Sequence, residues 1–271
     1  MADESERTVP GTLRRAPDRL RRWFAKSAKA KPEEPPWPAR VLSIHAHPDD
    51  QEFTVAGTLA KWARAGSTVI TVCLTSGGGG SNEQTPASMT REALVLIRED
   101  EQRQACRVLG ISEVHFLGFQ DGVLEPSIGL RRELTRLIRR HRPDAVVCGD
   151  PTMRFYGARY MNHPDHRAAA DATLDAVFPS AETRLIFPEL LDEGLEPHKV
   201  PLVFIHGSER PDTFIDISEF LDVKLAALKE HRTQMGKWDP TEMMTAWARE
   251  QGARAKLAAA ESFRLMRLHD A

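Results

Sequence analysis

The fold is decided by residues 40–50, which carry the sequence RVLSIHAHPDD. Residues 40–44 are short, mostly apolar and rich in branched side chains, as expected of a buried β-strand. Residues 47–50 (HPDD) place an imidazole and two carboxylates where that strand ends. Such groups are ligands that Zn²⁺ and similar divalent metals take from proteins. The stretch therefore predicts a strand that ends in a metal-binding motif.

Strand and helix patterns alternate up to about residue 180, and beyond it two strands follow one another before the last helices. The expected strands are residues 40–44, 67–74, 114–117, 145–148, 200–206 and 213–217, and the expected helices are residues 53–65, 90–109, 130–141, about 218–234 and 241 to about 263, with another beginning near 164. This alternation predicts an α/β fold with a largely parallel sheet covered by helices on both faces.

A second motif, His163-Pro164-Asp165-His166, follows the strand expected at 145–148. In sheets of this kind ligands bind beyond the carboxyl ends of the strands, so the two motifs are expected to build one site.

The metal ligands expected at that site are His47, Asp50 and His166, which would hold one zinc ion per chain. Two histidines and one carboxylate leave a coordination position open for water, the pattern of a catalytic rather than a structural site. Asp49, beside a ligand, is the expected general base. His163 is expected to stabilise negative charge on the substrate oxygen.

Three further features are expected to support this site or to bind substrate. Asp165 can orient an imidazole through its second nitrogen. The glycines of residues 77–80 form either a mobile surface loop or a lid over substrate. Specificity is expected to come from this loop, from the region of Asp121, and from residues 154–160, where Arg154 either contacts an anionic or hydroxyl-rich substrate or is merely solvated.

Composition narrows the class of protein. The chain has 271 residues with 41% hydrophobic and 28% charged residues, which is typical of a soluble globular protein. A net charge of −2 gives no reason to expect a nucleic-acid partner. Three widely spaced cysteines suggest no disulfide framework and favour the cytoplasm. We find no apolar run near the roughly 20 residues of a transmembrane span.

The domain organisation expected from composition is simple. Residues 1–38 form a basic, proline-rich extension that we expect to be flexible, or else a short amphipathic helix making peripheral contact with a membrane surface or a partner. Residues 39–271 are expected to form a single domain. Assembly into a homo-oligomer is left open by the sequence.

Residues 46–50 (AHPDD) and 163–166 (HPDH) together resemble the PIG-L/LmbE-like family of zinc-dependent N-acetylglucosaminyl deacetylases. The resemblance covers roughly residues 40–265. Further matching positions are Gly57-Thr58-Leu59, Thr75-Ser76-Gly77, Arg98, Glu101, Leu117-Gly118-Phe119, Asp121-Gly122, Lys224, His231, Gln234 and Glu261-Ser262-Phe263-Arg264. Gln51 departs from the family, which usually has glutamate there.

The resemblance implies a Rossmann-like, three-layer α-β-α fold and one zinc ion held by His47, Asp50 and His166. It also implies Asp49 as base and His163 as electrostatic partner, with the family positions Arg98 and His231 near substrate or behind the ligands. The implied reaction removes an acetyl group from an N-acetylated amino sugar or its conjugate. Two alternatives remain at this point: a metal-dependent phosphoesterase and a sugar-binding module with a vestigial site.

Overall fold

A computed structural model describes residues 37–269 of the chain. The extension expected at residues 1–38 therefore lies almost entirely outside the described residues, and its boundary with the domain expected at 39–271 stays a prediction. In the described part, every helix is too short or too polar to cross a membrane.

Strands and helices alternate as expected over most of the described chain. The strands are β1 Arg40–His45, β2 Thr68–Thr75, β3 Glu113–Phe119, β4 Ala145–Gly149, β5 Phe155–Tyr156, β6 Tyr160–Met161, β7 Leu202–His206, β8 Thr213–Asp216 and β9 Ala260–Arg267. The helices are α1 Asp50–Thr54, α2 Ala56–Arg64, α3 Arg91–Leu109, α4 Ile128–His141, α5 Pro164–Asp175, α6 Glu189–Asp192, α7 Leu221–Leu228, α8 Arg232–Met235 and α9 Thr241–Ala255, with a π-helical segment at Ala176–Ala181.

The central sheet has seven strands in the order β3-β2-β1-β4-β7-β9-β8. Neighbours from β3 to β7 are parallel, whereas β9 runs antiparallel between β7 and β8. The predicted mostly parallel α/β fold is thus confirmed. Strand order reverses between β1 and β4, which creates a crevice at their carboxyl ends. Both sequence motifs begin beyond those two ends.

Successive side chains of β1 point to opposite faces of the sheet and are buried on both. Leu42 and Ile44 pack into one core cluster with Leu134 of α4, while Val41 packs into the other with Trp62 of α2. The Trp62 ring meets Phe204 of β7 edge-on, with centroids 5.0 Å apart. A strand buried on both faces is what a sheet covered by two helical layers requires.

The end of the chain differs from the expectation. The last helix ends at Ala255, with Lys256 in a left-handed conformation, and the segment expected to continue as helix to about Phe263 begins β9 instead. The alanines at 258–260 favour helix by propensity. Pairing of β9 with β7 and β8, together with full burial of Phe263, overrides that local preference.

A buried ion pair fixes β9 to the helical layer. Lys224 Nζ of α7 lies 2.6 Å from Glu261 Oε1. The Glu261 carboxylate also accepts hydrogen bonds from the backbone N–H groups of Gly57 (3.0 Å) and Thr58 (2.7 Å) in the first turn of α2. These four positions, separately matched in the sequence resemblance, therefore form one network.

Glu261→Ala is expected to lower the free energy of unfolding by about 3–5 kcal/mol, because it leaves the Lys224 ammonium buried without a counter-charge. Urea denaturation measures this change. Glu219→Ala, which removes an exposed carboxylate, serves as control and should cost less than about 0.5 kcal/mol. Equal losses in the two variants would show that the buried network contributes little.

Candidate metal centre and active site

Three side chains from two distant segments converge at the carboxyl ends of β1 and β4. His47 Nδ1 lies 3.3 Å from His166 Nε2, and His166 Nε2 lies 3.0 Å from Asp50 Oδ1. Asp50 Oδ2 lies 3.5 Å from His47 Nδ1. The structure thus brings together the three side chains that the sequence suggested as metal ligands.

This geometry suits a tetrahedral metal ion. With bonds of about 2.0–2.1 Å, two ligand atoms of a tetrahedral zinc site lie about 3.3–3.4 Å apart. The three distances, from 3.0 to 3.5 Å, bracket that separation. Burial opposes ionisation of Asp50, yet the adjacent histidines hold its pKa well below the usual range. The donor set and the spacing therefore fit a divalent cation.

His47 is oriented by two carboxylates behind it. Its Nε2 lies 3.0 Å from Asp121 Oδ1 and 3.2 Å from Asp165 Oδ2, so Nε2–H donates and Nδ1 keeps its lone pair for a metal. Asp165 in turn accepts from the backbone N–H of Gly122, and Asp121 from that of Gly79. Burial lowers the pKa of His47, but the surrounding carboxylates outweigh burial and raise it to about 12. The same negative charges favour a metal cation in place of the proton on Nδ1.

His166 is oriented by a residue that the sequence reasoning missed. Its Nδ1 lies 3.0 Å from Asn162 Oδ1, and the Asn162 amide donates to the carbonyl of Met153 at 2.7 Å. Nδ1–H therefore donates to the amide oxygen, and Nε2 is left to bind a metal. In the sequence, the one signal for Asn162 is its position directly before His163. Nothing in the local sequence distinguishes Asn162 from an ordinary turn residue.

Asn162→Ala is expected to weaken metal binding at the candidate site by about 10- to 100-fold, because His166 loses the acceptor that fixes its tautomer and ring orientation. The measurement is recovery of activity by chelator-stripped protein against buffered free zinc. Asn82→Ala removes an exposed amide that contacts Thr233 and should leave this titration unchanged. A titration of Asn162→Ala that overlays the wild type would contradict the orienting role.

Asp49 lies buried beside the three ligand side chains. Its backbone is left-handed, with φ of 90°, and its N–H donates to Gln102 Oε1 at 2.9 Å. Asp49 Oδ2 accepts a hydrogen bond from Arg98 Nη2 at 3.0 Å. Burial raises the pKa of Asp49 to about 6, although the Arg98 guanidinium acts in the opposite direction. A carboxylate with this pKa can accept a proton near neutral pH.

The glycine-rich segment holds Arg98 in place. Arg98 Nη1 donates to the Gly77 carbonyl at 2.8 Å, and Nη2 donates to the Pro48 carbonyl at 2.7 Å. Gly77 has φ of +66°, and a side chain there would collide with the Arg98 guanidinium. The loop therefore has a packing role that neither of the two expectations for residues 77–80 included.

His163 caps the amino end of α5 and faces the cleft. Its Nδ1 accepts from the backbone N–H of Asp165 at 3.2 Å, so the neutral ring carries its proton on Nε2. Burial lowers the pKa of His163, which favours that neutral form at pH 7. The ring lies edge-on to His47, with centroids 4.9 Å apart. An Nε2–H donor in the cleft is suited to a carbonyl oxygen that becomes negative.

Two other predicted residues lie away from the cleft. His231 is fully buried and lies 3.2 Å from Glu52 Oε2, behind α1. Arg154 is exposed and does not line the cavity next to His47. His231 therefore supports the element that carries Asp50, and Arg154 is left without a contact that would favour substrate binding.

The ligand side chains open into a cavity of about 710 Å³. Its lining combines the polar side chains described above with large apolar side chains. These are Phe53, Tyr156, Tyr160, Met243 and Trp247. Apolar walls with a few convergent polar groups are typical of small-molecule sites.

Comparisons with known proteins find relatives of this chain. The family model described as GlcNAc-PI de-N-acetylase (PIG-L) matches residues 42–177. Diacetylchitobiose deacetylase of Thermococcus kodakarensis is 32% identical over 206 residues, covering 74% of each protein. Probable N-acetyl-alpha-D-glucosaminyl L-malate deacetylase 2 of Bacillus anthracis is 30% identical, covering 72% of this chain and 80% of that protein. The solved structure of N,N′-diacetylchitobiose deacetylase from Pyrococcus horikoshii has a TM-score of 0.80 at 28% identity, covering 98% of this chain and 95% of that one.

Proposed function

Because the chain belongs to the PIG-L family of GlcNAc-PI de-N-acetylases, we propose that it is a zinc-dependent hydrolase that removes acetyl groups from N-acetylated amino sugars. The family resemblance inferred from the sequence is thereby confirmed. The observation that carries the proposal is the convergence of His47, Asp50 and His166 within 3.0–3.5 Å at the strand-order reversal. Asp49 and His163 flank these three residues as the two groups that hydrolysis requires.

The proposed ligands of the ion are His47, Asp50 and His166. A zinc ion held there would supply Lewis acidity, which would make water more acidic and polarise a carbonyl. The described cleft holds two further candidate groups of ligand atoms, one on His47, His163 and His166 and one on His47, Asp121 and Asp165, and both share His47 with the proposed ligands. Since Nε2 of His47 donates to those carboxylates, we assign one catalytic ion, which favours a deacetylase over a two-metal phosphoesterase.

The chain's own residues supply the proton transfers. Asp49 takes a proton from the attacking water while the water oxygen forms a bond to the amide carbon. The Nε2–H of His163 donates to the carbonyl oxygen as that oxygen becomes negative. When the C–N bond breaks, Asp49 returns the proton to the departing nitrogen. The products are acetate and a free amine on the sugar.

The cavity supports an amino sugar or its conjugate as substrate. Its polar lining groups can form hydrogen bonds with hydroxyl groups, and the aromatic rings of Trp247 and Tyr156, which also line it, suit the C–H face of a sugar ring. We leave the conjugated group unassigned. The three cysteines are buried and unpaired, which supports the cytoplasmic location expected from the sequence.

The test is a panel of N-acetylated substrates with zinc-loaded protein, read out by acetate and primary amine together. N-acetylglucosamine, diacetylchitobiose and an α-linked N-acetylglucosaminyl conjugate form the panel, and an aryl phosphate tests the alternative phosphoesterase. We expect equimolar acetate and amine from at least one sugar. Phosphate release without amine formation would overturn the proposal.

A further inference from the structure

A second group of metal-ligating side chains lies at the opposite end of the sheet. Glu113 and His115 are alternate residues at the start of β3 and so point to the same face. His141 is the last residue of α4. Glu113 pairs with Ile70 near the beginning of β2, whereas the catalytic residues follow the carboxyl ends of the strands. The group is therefore separate from the cleft.

The three side chains already point to a common centre. His115 Nε2 lies 2.8 Å from Glu113 Oε1, and His141 Nε2 lies 3.8 Å from the same oxygen. One ligand atom from each residue lies within 4.8 Å of the other two. The two measured separations lie on either side of the roughly 3.3 Å expected between ligands of a tetrahedral zinc ion. Shifts of a few tenths of an ångström would bring both to that value.

His141 adds an independent indication of a ligand. Its Nε2 is buried and makes no hydrogen bond. Buried polar atoms normally have a partner, because leaving one without a partner is unfavourable. Arg40 Nη1 of β1 donates to the backbone carbonyl of His141 at 3.3 Å, which links the end of α4 to β1. An ion bound at this position would satisfy the unpaired nitrogen.

We propose that Glu113, His115 and His141 form a second site for a divalent transition metal of the zinc type, separate from catalysis. Two imidazoles and a carboxylate match the ligand preferences of Zn²⁺, and partial exposure leaves room for water as the fourth ligand. The ion joins β3, an edge strand of the sheet, to the end of α4. It would thus hold an exposed sheet edge against the helical layer.

Metal stoichiometry after equilibrium dialysis in buffered zinc tests the proposal. We expect two ions per chain in the wild type, one in His141→Ala and one in His166→Ala, which loses the catalytic ion instead. His141→Ala should keep its deacetylase activity within about twofold, because the site lies outside the cleft. Loss of the second ion in His141→Ala with activity kept concerns this proposal alone. Failure of the proposed function would appear instead as wild-type protein without deacetylase activity, or as a metal content that His166→Ala leaves unchanged.

Two further variants serve as a conservative test of the site and as a control at another surface histidine. Glu113→Gln replaces a half-exposed carboxylate with a poor ligand and should also bind one ion. His269→Ala removes a similar surface pair, in which Nε2 lies 2.9 Å from Glu182 Oε2, and should still bind two. In the His166→Ala background, zinc at 100 times its dissociation constant should raise the melting temperature by about 5–10 °C. A single ion in the wild type, or two ions retained in both Glu113→Gln and His141→Ala, would overturn the proposal.

Discussion

Asp49→Asn is expected to lower kcat for deacetylation by about 10²- to 10⁴-fold while the metal content stays at the wild-type value. The amide has the shape of the carboxylate but cannot take a proton from water. Asparagine also tolerates the left-handed backbone that residue 49 adopts, with φ of 90°, so the main chain should not move. Its oxygen can still accept the hydrogen bond from Arg98. Steady-state kinetics and metal analysis on the same sample measure both quantities.

A matched control shows whether loss of a carboxylate charge at any position lowers kcat. Asp100→Asn makes the same substitution at an exposed position on α3, where the carboxylate accepts a hydrogen bond from Gln104, and should leave kcat unchanged. Loss of zinc from Asp49→Asn would instead indicate that Asp49 is a ligand. Activity close to wild type in Asp49→Asn would show that Asp49 is not the general base.

The pH profile gives a second test of Asp49. Burial raises its pKa to about 6, and a nearby divalent cation would lower this value again. The base works only when deprotonated, so kcat/KM should fall as pH drops through a value at or below about 6. This acidic limb should be absent from the residual activity of Asp49→Asn. If the acidic limb of the kcat/KM profile is unchanged in Asp49→Asn, the group that titrates there is not Asp49.

His166→Ala is expected to remove one metal ion per chain and to bring deacetylation to background. Loss of even an orienting partner weakens metal binding by about 10- to 100-fold, so loss of a ligand should weaken it by more. Metal analysis after dialysis, with activity measured at rising free zinc, checks both parts. Chelator treatment of the wild type should reproduce the loss, and added zinc should restore activity only there.

The control for this variant is another partly buried histidine. His198 Nε2 contacts the Pro143 carbonyl at 2.8 Å, outside the cleft, so His198→Ala should keep both metal and activity. Full metal content in His166→Ala would show that the ion is held elsewhere and would remove the basis of the proposed function.

Much of the fold could be predicted because its signals are local. The branched, apolar runs of β1 and β2 and the glycines that follow the helices identify elements without reference to distant residues. The helix predicted at the end of the chain was wrong because the structure there depends on distant residues. Residues 258–263 favour helix locally, and only pairing with β7 and β8 makes them a strand.

By itself the sequence determined the kinds of candidate ligand and the two segments that carry them, since imidazole and carboxylate chemistry is a property of single residues. The tertiary structure alone decided how those ligands are held. Asn162 behind His166, Asp121 behind His47 and the Gly77 loop around Arg98 are contacts between distant segments. A hydrogen bond requires a partner within about 3 Å in a suitable direction. Sequence separation carries no such information, so these partners emerge only when the strands have been placed side by side.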